Sequence, residues 1–377
     1  RWLKDEKNGV DDEPMIRTWM QDTVSPVSEK RPGAWVAEEN YPSENVVEQH
    51  FKLKNREIDF ENNLPPYKAA LKIQSPLSVG LFAGKWCSYA ASTDLPSDQR
   101  EEDGGALLFD TLPLKKGIDI FGPPELSLSL KSDKPIAMIA ARISDVAPNG
   151  RATRTTYGVL NLTHRNSDEH PEYLTPGKKY KIKLKLNHIA QHFRANHKIR
   201  LSLSTSYWPL VWPSPEPVTL TLFPDECLIT LPIRHPRKTD TLLPSLRKPK
   251  LKEIAPTTLF VPAKREWEVI HNLATNATTL DVINNDPQYK IDDINWSIQK
   301  DVTEKYAYQG YNYDTLRGEV ISRRSFRRDD WIVRTKTRTI LTSTKTHFII
   351  RASLDAFEGD VRVFSKSWDE RIKRDLL

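Results

Sequence analysis

The stretch that decides the fold class is Lys179–Leu186 (KYKIKLKL), in which lysine alternates with Tyr180, Ile182, Leu184 and Leu186. Successive side chains of a β-strand point to opposite faces of its sheet, so strict alternation predicts a strand with one buried and one wet face. The stretch therefore predicts a sheet that covers a core with its apolar side and presents lysines to solvent.

Related patterns lie on both sides of this stretch. Polar and apolar residues alternate in Glu125–Lys131, Lys198–Ser204 and Val218–Leu222. Residues 136–146 are more continuously apolar, which is typical of a strand covered on both faces. Turn-forming Pro, Asn and Gly separate the runs. Many short strands without a βαβ rhythm favour a β-sandwich, and a jelly roll is one such arrangement.

Composition supports a folded, mainly β chain. Of the 377 residues, 38% are hydrophobic and ten are tryptophan, which argues against disorder. The 27 prolines and 14 glycines suit loops between strands better than long helices. The 56 basic and 50 acidic residues are interspersed, so the net charge of +6 favours a mixed solvated surface. No apolar run approaches the length of about 18 residues that spans a membrane.

Changes in composition divide the chain into four parts. Residues 1–13 are typical of the end of a helix, and residues 14–236 contain the clearest strands of the predicted sandwich. Residues 237–263 are rich in Pro, Lys and Arg and are interpreted as a linker. Strand patterns resume in residues 264–377, which we predict to be a second antiparallel β region.

Motifs for catalysis and cofactor binding are absent from the sequence. An α/β-hydrolase needs G-x-S-x-G, in which a sharp strand-to-helix turn exposes the serine. The nearest match is Gly80–Gly84 (GLFAG), with Phe82 in the place of serine. Walker, dinucleotide-binding, HExxH and EF-hand motifs are missing as well. The sequence therefore predicts no catalytic residue and no cofactor.

The histidines and cysteines form no clear metal-binding pattern. His188 and His192 are four residues apart, and such a pair on one helix face can bind zinc. No acidic ligand lies between them, so we predict a short helical turn whose histidines, His197 included, are surface or interface groups, and no metal. Cys87 and Cys227 are far apart, and a single bridge and two free thiols both stay open.

The basic segments are not typical of nucleic-acid binding. Residues 235–252 lack the interleaved aromatic side chains on which single-stranded bases stack. Arg323-Arg324 and Arg327-Arg328 are followed by Asp329-Asp330, which offsets their charge. We predict salt-linked surface strands here.

Residues 80–89 (GLFAGKWCSY) combine two glycines with several aromatic residues. Glycine in a β context marks a bend or the close approach of a backbone or ligand. One interpretation is core packing at a strand corner. The other is the apolar wall of a pocket formed by Leu81, Phe82 and Trp86.

Several short segments point to a known family. In chain order they are Trp2-Leu3-Lys4, Asn8-Gly9-Val10, Asp98-Gln99-Arg100, Leu107–Asp110, Pro113-Leu114, Gly122-Pro123, Ile143–Gly150, Pro176–Tyr180, Ala190–Leu201 and Ser204–Pro209. In these segments the chain resembles the C-terminal β part of CocE/NonD hydrolases, the family of cocaine esterase, α-amino-acid ester hydrolases and X-Pro dipeptidyl-peptidases. Asn196 stands where the family has glycine, and Asn tolerates a positive φ well enough to retain the turn.

The resemblance implies a galactose-binding-like jelly roll in residues 14–236 and makes residues 1–13 the end of a missing α/β-hydrolase domain. The family's Ser-Asp-His triad lies in that domain, so this chain is expected to be inactive alone. The implied role is to help shape the acyl pocket of a serine hydrolase and to stabilise its catalytic domain. Leu81, Phe82 and Trp86 are the expected pocket wall, and residues 264–377 resemble an extension found in one branch.

The implied partners are an α/β-hydrolase domain, in the same or a separate chain, and a small acyl ester, amide or peptide substrate. Nucleic acid and membrane are not expected, and a homo-oligomer stays open. A cytoplasmic location is favoured, with a periplasmic or secreted one left open. The alternative function is a stand-alone β-sandwich module that binds carbohydrate or protein, with Trp208 and Trp212 as an exposed sugar platform.

Overall fold

The computed structural model describes residue 9 and residues 13–87, 94–243 and 255–377. These residues form three β-sheets, with one helix of a single turn, α1 (Arg100–Asp103), and short 3₁₀ turns between strands. The predicted helix end in residues 1–13 lies almost wholly outside them. None of the helical segments in these ranges is long and apolar enough to cross a membrane.

The first fifteen strands build a β-sandwich. They are β1 (Ile16–Gln21), β2 (Gly33–Glu38), β3 (Val46–Leu53), β4 (Ile58–Asp59), β5 (Leu71–Ile73), β6 (Leu107–Asp110), β7 (Ile118–Gly122), β8 (Glu125–Ser132), β9 (Met138–Val146), β10 (Ala152–Asn161), β11 (Lys179–Lys185), β12 (Ile189–Phe193), β13 (Lys198–Ser204), β14 (Leu220–Leu222) and β15 (Leu228–Arg234). One sheet has the strand order β10-β9-β13-β6, and the other eleven strands form the second sheet.

The predicted alternation in β11 is confirmed: Ile182 and Leu184 are buried while the intervening lysines are exposed. β11 pairs with β8, so that Leu184 lies opposite Leu126. These leucines belong to one apolar core that also contains Ile139 of β9, from the facing sheet. The two sheets therefore close over a common core, as a mainly β sandwich requires. Every residue of β9 is buried, as the continuous apolar run predicts.

The C-terminal part of the chain forms a third, nine-stranded sheet. Its strands are β16 (Thr257–Val261), β17 (Lys264–Asn272), β18 (Ala277–Asn285), β19 (Gln288–Ile291), β20 (Trp296–Gln309), β21 (Asn312–Arg328), β22 (Trp331–Ser343), β23 (His347–Glu358) and β24 (Val361–Lys373). β20 to β24 are consecutive neighbours, and β17 joins the sheet through β18. This sheet is antiparallel, as predicted for residues 264–377.

Residues 77–83 form a layer between the sandwich and the third sheet. Val79 and Ala83 pack in one cluster with Met138 and Ala140, on the face of β9 that points away from the sandwich core. Leu77 and Leu81 pack in another cluster with Leu280 and Val282 of β18. The third sheet is thus held against the sandwich by buried apolar surface on both sides of one short segment.

The structure corrects one local interpretation and decides between two alternatives for the cysteines. The predicted helical turn at His188 and His192 is wrong, because Ile189–Phe193 is strand β12, and its backbone pairs with β7. Pairing with a neighbouring strand satisfies the backbone that an isolated helical turn would leave largely unpaired. Asn196 has a φ of +65°, so the turn expected there is retained. Cys87 and Cys227 are both free, which removes the alternative of a bridge.

The predicted linker, residues 237–263, is only partly described. Lys238–Leu242 forms a 3₁₀ helix, residues 244–254 lie outside the described ranges, and β16 begins at Thr257. Asp240 in this helix bonds to Arg234 at 2.7 Å, and Arg234 also bonds to the buried Glu38 at 2.6 Å. The start of this segment is therefore fixed to the sandwich by an ion-pair network.

Candidate functional site

A buried carboxylate fixes the layer between the sheets. Oε1 of Glu102 accepts the backbone N–H of Gly80 at 3.1 Å and that of Phe82 at 2.9 Å. Oε2 of the same carboxylate contacts the guanidinium of Arg142 on β9. Neither charged side chain is exposed to solvent. A buried charge is tolerated only when it is paired and hydrogen-bonded, so this ion pair determines the path of the backbone at Phe82.

The two glycines around Phe82 are required by close backbone approaches. Gly80 has a φ of +120°, and a Cβ placed there would lie 2.3 Å from the carbonyl oxygen of Trp208. Gly84 has a φ of +68°, and its Cβ would lie 2.5 Å from the carbonyl oxygen of Asp94. Any side chain at either position would collide with backbone and force an unfavourable φ.

The carbonyl groups of the same turn are also bonded. The carbonyl oxygen of Phe82 accepts the backbone N–H of Ser97 at 3.1 Å and an N–H of the Gln99 side chain at 3.4 Å. The indole N–H of Trp267, on β17, donates to the carbonyl oxygen of Leu81 at 3.0 Å. The segment is therefore bonded on both sides, to the sandwich and to the third sheet.

The structure separates the three residues predicted as a pocket wall. Leu81 is buried, at 2% exposure, in the cluster that contains Trp208. Phe82 is half-buried and lines a cavity. Trp86 is 61% exposed and meets the ring of Tyr157 edge-to-face at 5.7 Å. Only Phe82 of the three lines this cavity, and residues 88–93, which follow Trp86, lie outside the described ranges.

The cavity next to Phe82 has a volume of about 730 Å³. Its walls come from the sandwich and from β17 of the third sheet, and they comprise Val27, Phe82, Gly84, Leu95, Ser97 and Arg265–Val269. The hydroxyl of Ser97 is buried and has no hydrogen-bond partner among the described residues. An apolar cavity with a few polar groups is the usual form of a small-molecule site.

Most charged side chains near the cavity are paired with one another. Nζ of Lys85 lies 3.0 Å from Glu304 and 3.9 Å from Asp94. Arg265, a wall residue, bonds to Asp286 at 2.6 Å. Burial alone would raise the pKa of the Asp286 carboxyl, but the bond to Arg265 and the charge of Lys300 outweigh it, and the pKa is lowered. Glu268, another wall residue, forms no ion pair among the described residues, so the cavity keeps one unpaired carboxylate.

The predicted sugar platform of Trp208 and Trp212 is wrong for Trp208. That side chain is fully buried and meets the rings of Tyr306 and Tyr308 edge-to-face. Trp212 is half-buried, and its indole N–H donates to the hydroxyl of Ser343 at 2.9 Å. Both tryptophans pack against the third sheet, since large aromatic rings gain most from removal from water.

Two histidines each bond to a single carboxylate, and the prediction of a surface position is wrong for His197, which is buried. Nδ1 of His192 lies 2.6 Å from Asp119, and Nδ1 of His197 lies 2.8 Å from Asp145. The hydroxyl of Thr23 donates to the second oxygen of Asp145 at 2.7 Å. Within the described ranges, no group of three or more His, Cys, Asp or Glu side chains is arranged to hold a metal ion.

Sequence patterns did not indicate Glu102, Arg142 or Trp267 as parts of the site. Glu102 lies just after the Asp98-Gln99-Arg100 segment that supports the family resemblance, and that proximity was the only signal. Arg142 interrupts an apolar strand, and a charged residue within a fully buried strand points to a buried ion pair. Trp267 is 186 residues from Leu81, so only the fold brings the two together.

Comparisons with known proteins agree with the architecture. The family model of the X-Pro dipeptidyl-peptidase C-terminal non-catalytic domain matches residues 8–243. Cocaine esterase from Rhodococcus sp. (strain MB1 Bresler) is 24% identical over 116 residues, which are 30% of this chain and 20% of the esterase. The match thus spans about a fifth of that curated relative's length.

Solved structures of hydrolases are also similar. An α-amino acid ester hydrolase has a TM-score of 0.48 and 18% identity, with 54% of this chain and 39% of the hydrolase covered. A CocE/NonD family hydrolase from Staphylococcus aureus has a TM-score of 0.46 and 13% identity, with 62% and 43% covered. Because the family model matches more than half of the sequence, this chain belongs to the family of X-Pro dipeptidyl-peptidase C-terminal non-catalytic domains.

Proposed function

We propose that this chain is the non-catalytic β portion of a serine acyl hydrolase. It packs against an α/β-hydrolase domain, stabilises that domain and supplies part of the wall of its acyl pocket. The substrate is an ester, an amide or an X-Pro peptide. In this proposal residues 14–236 are the jelly roll, residues 264–377 are an extension, and residues 237–263 connect them.

The observation that carries the proposal is the fixed position of Phe82. A pocket wall orients an acyl group only when its own position is well defined. The backbone of Phe82 is bonded to Glu102, Ser97 and Gln99, and its ring remains half-buried beside a cavity. A rigid aromatic ring on a bonded turn is suited to exclude water from a neighbouring reaction centre.

Trp86 lies four residues after Phe82 but outside the Phe82 cavity. Its ring is 61% exposed, and its carbonyl oxygen accepts the hydroxyl of Tyr157 at 3.3 Å. We propose that the catalytic domain covers Trp86. Burial of a large aromatic ring between domains would contribute about 2 kcal/mol or more to their association.

The test is the acyl-chain preference of the complete hydrolase, measured as kcat/KM for nitrophenyl esters of short, medium and long acyl groups. Phe82→Ala should change the ratio between long and short esters by about tenfold, because part of the pocket wall is removed. Phe260→Ala is the matched control, since Phe260 lies in β16 and is 53% exposed. An unchanged ratio in Phe82→Ala would contradict the wall assignment.

The chain alone provides a second test. A fluorophosphonate probe labels activated serines, and we expect neither labelling nor ester turnover, because the sequence lacks G-x-S-x-G. Stoichiometric labelling of one serine would show a nucleophile within this chain and overturn the proposal.

A further inference from the structure

Within the part of the chain that the structure describes, two neighbouring cations of the third sheet form no ion pair with a carboxylate. Arg323 of β21 lies directly opposite Lys336 of β22, and both side chains are exposed. Like charges directly opposite one another destabilise a sheet. Ion pairs within 4 Å are found for neighbouring cations of the same sheet, such as Arg338 with Glu319 at 2.5 Å. Among the described residues, none is found for Arg323 or Lys336.

The nearest carboxylates are bonded to other residues. Asp301 of β20 lies opposite Arg323, and Asp355 of β23 lies opposite Lys336. Asp301 accepts a hydrogen bond from the side chain of Gln299 at 2.9 Å. Asp355 accepts the hydroxyl of Ser365 at 2.7 Å and lies 3.6 Å from Arg362. The two central cations therefore lie in a row between two acids, and among the described residues neither acid forms an ion pair with them.

A cavity of about 520 Å³ opens at this pair of cations. Four cations line it, together with one carboxylate, that of Asp301, and with the hydroxyl-bearing Ser325 and the apolar Ile332 and Phe357; the cations are Arg323, Arg324, Arg334 and Lys336. The guanidinium of Arg334 lies 4.8 Å above the ring of Phe357 and pairs with the exposed Asp360. The cavity thus joins a cationic side to an aromatic and aliphatic side.

We infer that this cavity binds a small organic anion. Its carboxylate or phosphate group lies between Arg323 and Lys336, and its apolar body packs against Phe357 and Ile332. An oxyanion in that position converts a repulsive pair of cations into two charge-assisted contacts. The apolar side selects anions that carry an aromatic or aliphatic group, and the volume of about 520 Å³ suits a small molecule. This site is separate from the Phe82 cavity and does not depend on the proposed hydrolase role.

The test uses the full chain and three probes, which are phenyl phosphate, phenylacetate and inorganic phosphate, each at ionic strength matched with sodium chloride. Binding is measured by calorimetry and by the rise in Tm that a native-state ligand causes. Phenyl phosphate or phenylacetate should bind and raise the Tm, and the stronger of the two identifies the headgroup. Inorganic phosphate should bind at least about tenfold more weakly than phenyl phosphate, because it lacks the apolar body.

Two variants distinguish loss of binding from loss of folding. Lys336→Gln should weaken binding by about tenfold or more, yet keep or raise the Tm in chloride alone, because the repulsion from Arg323 is relieved. Lys373→Gln, on the exposed strand β24, removes the same charge and should bind like the wild type. No Tm rise with any probe, or an equal rise in Lys336→Gln and wild type, would overturn the inference. So would binding of inorganic phosphate as tight as that of phenyl phosphate.

Discussion

The carboxylate of Glu102 accepts the backbone N–H of Phe82 at 2.9 Å while its other oxygen contacts the guanidinium of Arg142. The two residues are 20 positions apart, on α1 and on the turn between the sheets. The ring that we propose as a pocket wall is therefore positioned by an ion pair that has no solvent exposure. Substitutions of Glu102 should act on stability and on the position of Phe82 together.

Glu102→Gln should destabilise the chain by about 3 kcal/mol, because it leaves the buried guanidinium of Arg142 without its main counter-charge. Asp103, at 3.6 Å from Arg142, compensates only in part. Urea unfolding followed by tryptophan fluorescence measures the difference. Asp369→Asn removes one partner of the exposed pair with Arg351 and should leave the midpoint unchanged. Equal, small effects in the two variants would contradict the role given to Glu102.

Gly80→Ala should lower the free energy of unfolding by more than about 2 kcal/mol. The added Cβ would collide with the carbonyl oxygen of Trp208, and alanine would also be strained by the positive φ. Two other glycines, Gly150 and Gly104, distinguish the effect of the collision from the effect of the positive φ. Gly150 has a φ of +84° and open space, so Gly150→Ala should cost about 1 kcal/mol. Gly104 has a φ of −61° and open space, so Gly104→Ala should stabilise slightly. The three unfolding midpoints should follow this order, and a Gly80→Ala variant as stable as Gly104→Ala would refute the close approach.

The two thiols should react at very different rates. Cys87 is exposed, whereas burial raises the pKa of the Cys227 thiol to about 11. Because the thiolate is the reactive form, a disulfide reagent should modify one thiol quickly in the native chain and the second only after unfolding. Cys87→Ser should abolish the fast phase. Rapid modification of two thiols in the native wild type would show that Cys227 is accessible.

The ion pair of His192 and Asp119 should stabilise the fold at lower pH. The hydrogen bond that the His192 ring donates to Asp119 raises the pKa of His192, assisted by the charges of Asp119 and Asp22 and opposed by burial and Arg194. A raised folded-state pKa gives stability that is complete below the unfolded value of about 6.5 and is lost as pH rises through the folded value. The difference in unfolding midpoint between wild type and His192→Gln should therefore be largest below about pH 6.5 and shrink as the pH rises above that value. If the difference in midpoint stays constant as the pH rises, the ion pair of His192 and Asp119 is not its source.

Local sequence patterns determined the strands. The alternation of Lys179–Leu186 is confirmed in β11, because the backbone of a strand places successive side chains on opposite faces whatever the rest of the chain does. The continuous apolar run of β9 likewise predicted burial on both faces. The histidine spacing around β12 gave a wrong prediction. The same spacing fits a helical turn, and the choice of a strand depends on hydrogen bonds from the neighbouring strand β7.

The tertiary structure alone decided the surroundings of Phe82 and the burial of Trp208. The sequence predicts an exposed platform at Trp208. In the structure this side chain is covered by Tyr306 and Tyr308 of β20, about 100 residues further along the chain. Leu81 and Phe82 are adjacent, but one enters the core and the other lines a cavity. Alternation within one segment is a property of its own backbone, so the sequence determines it. Which segment covers which face depends on the packing of distant strands, and only the folded chain determines that.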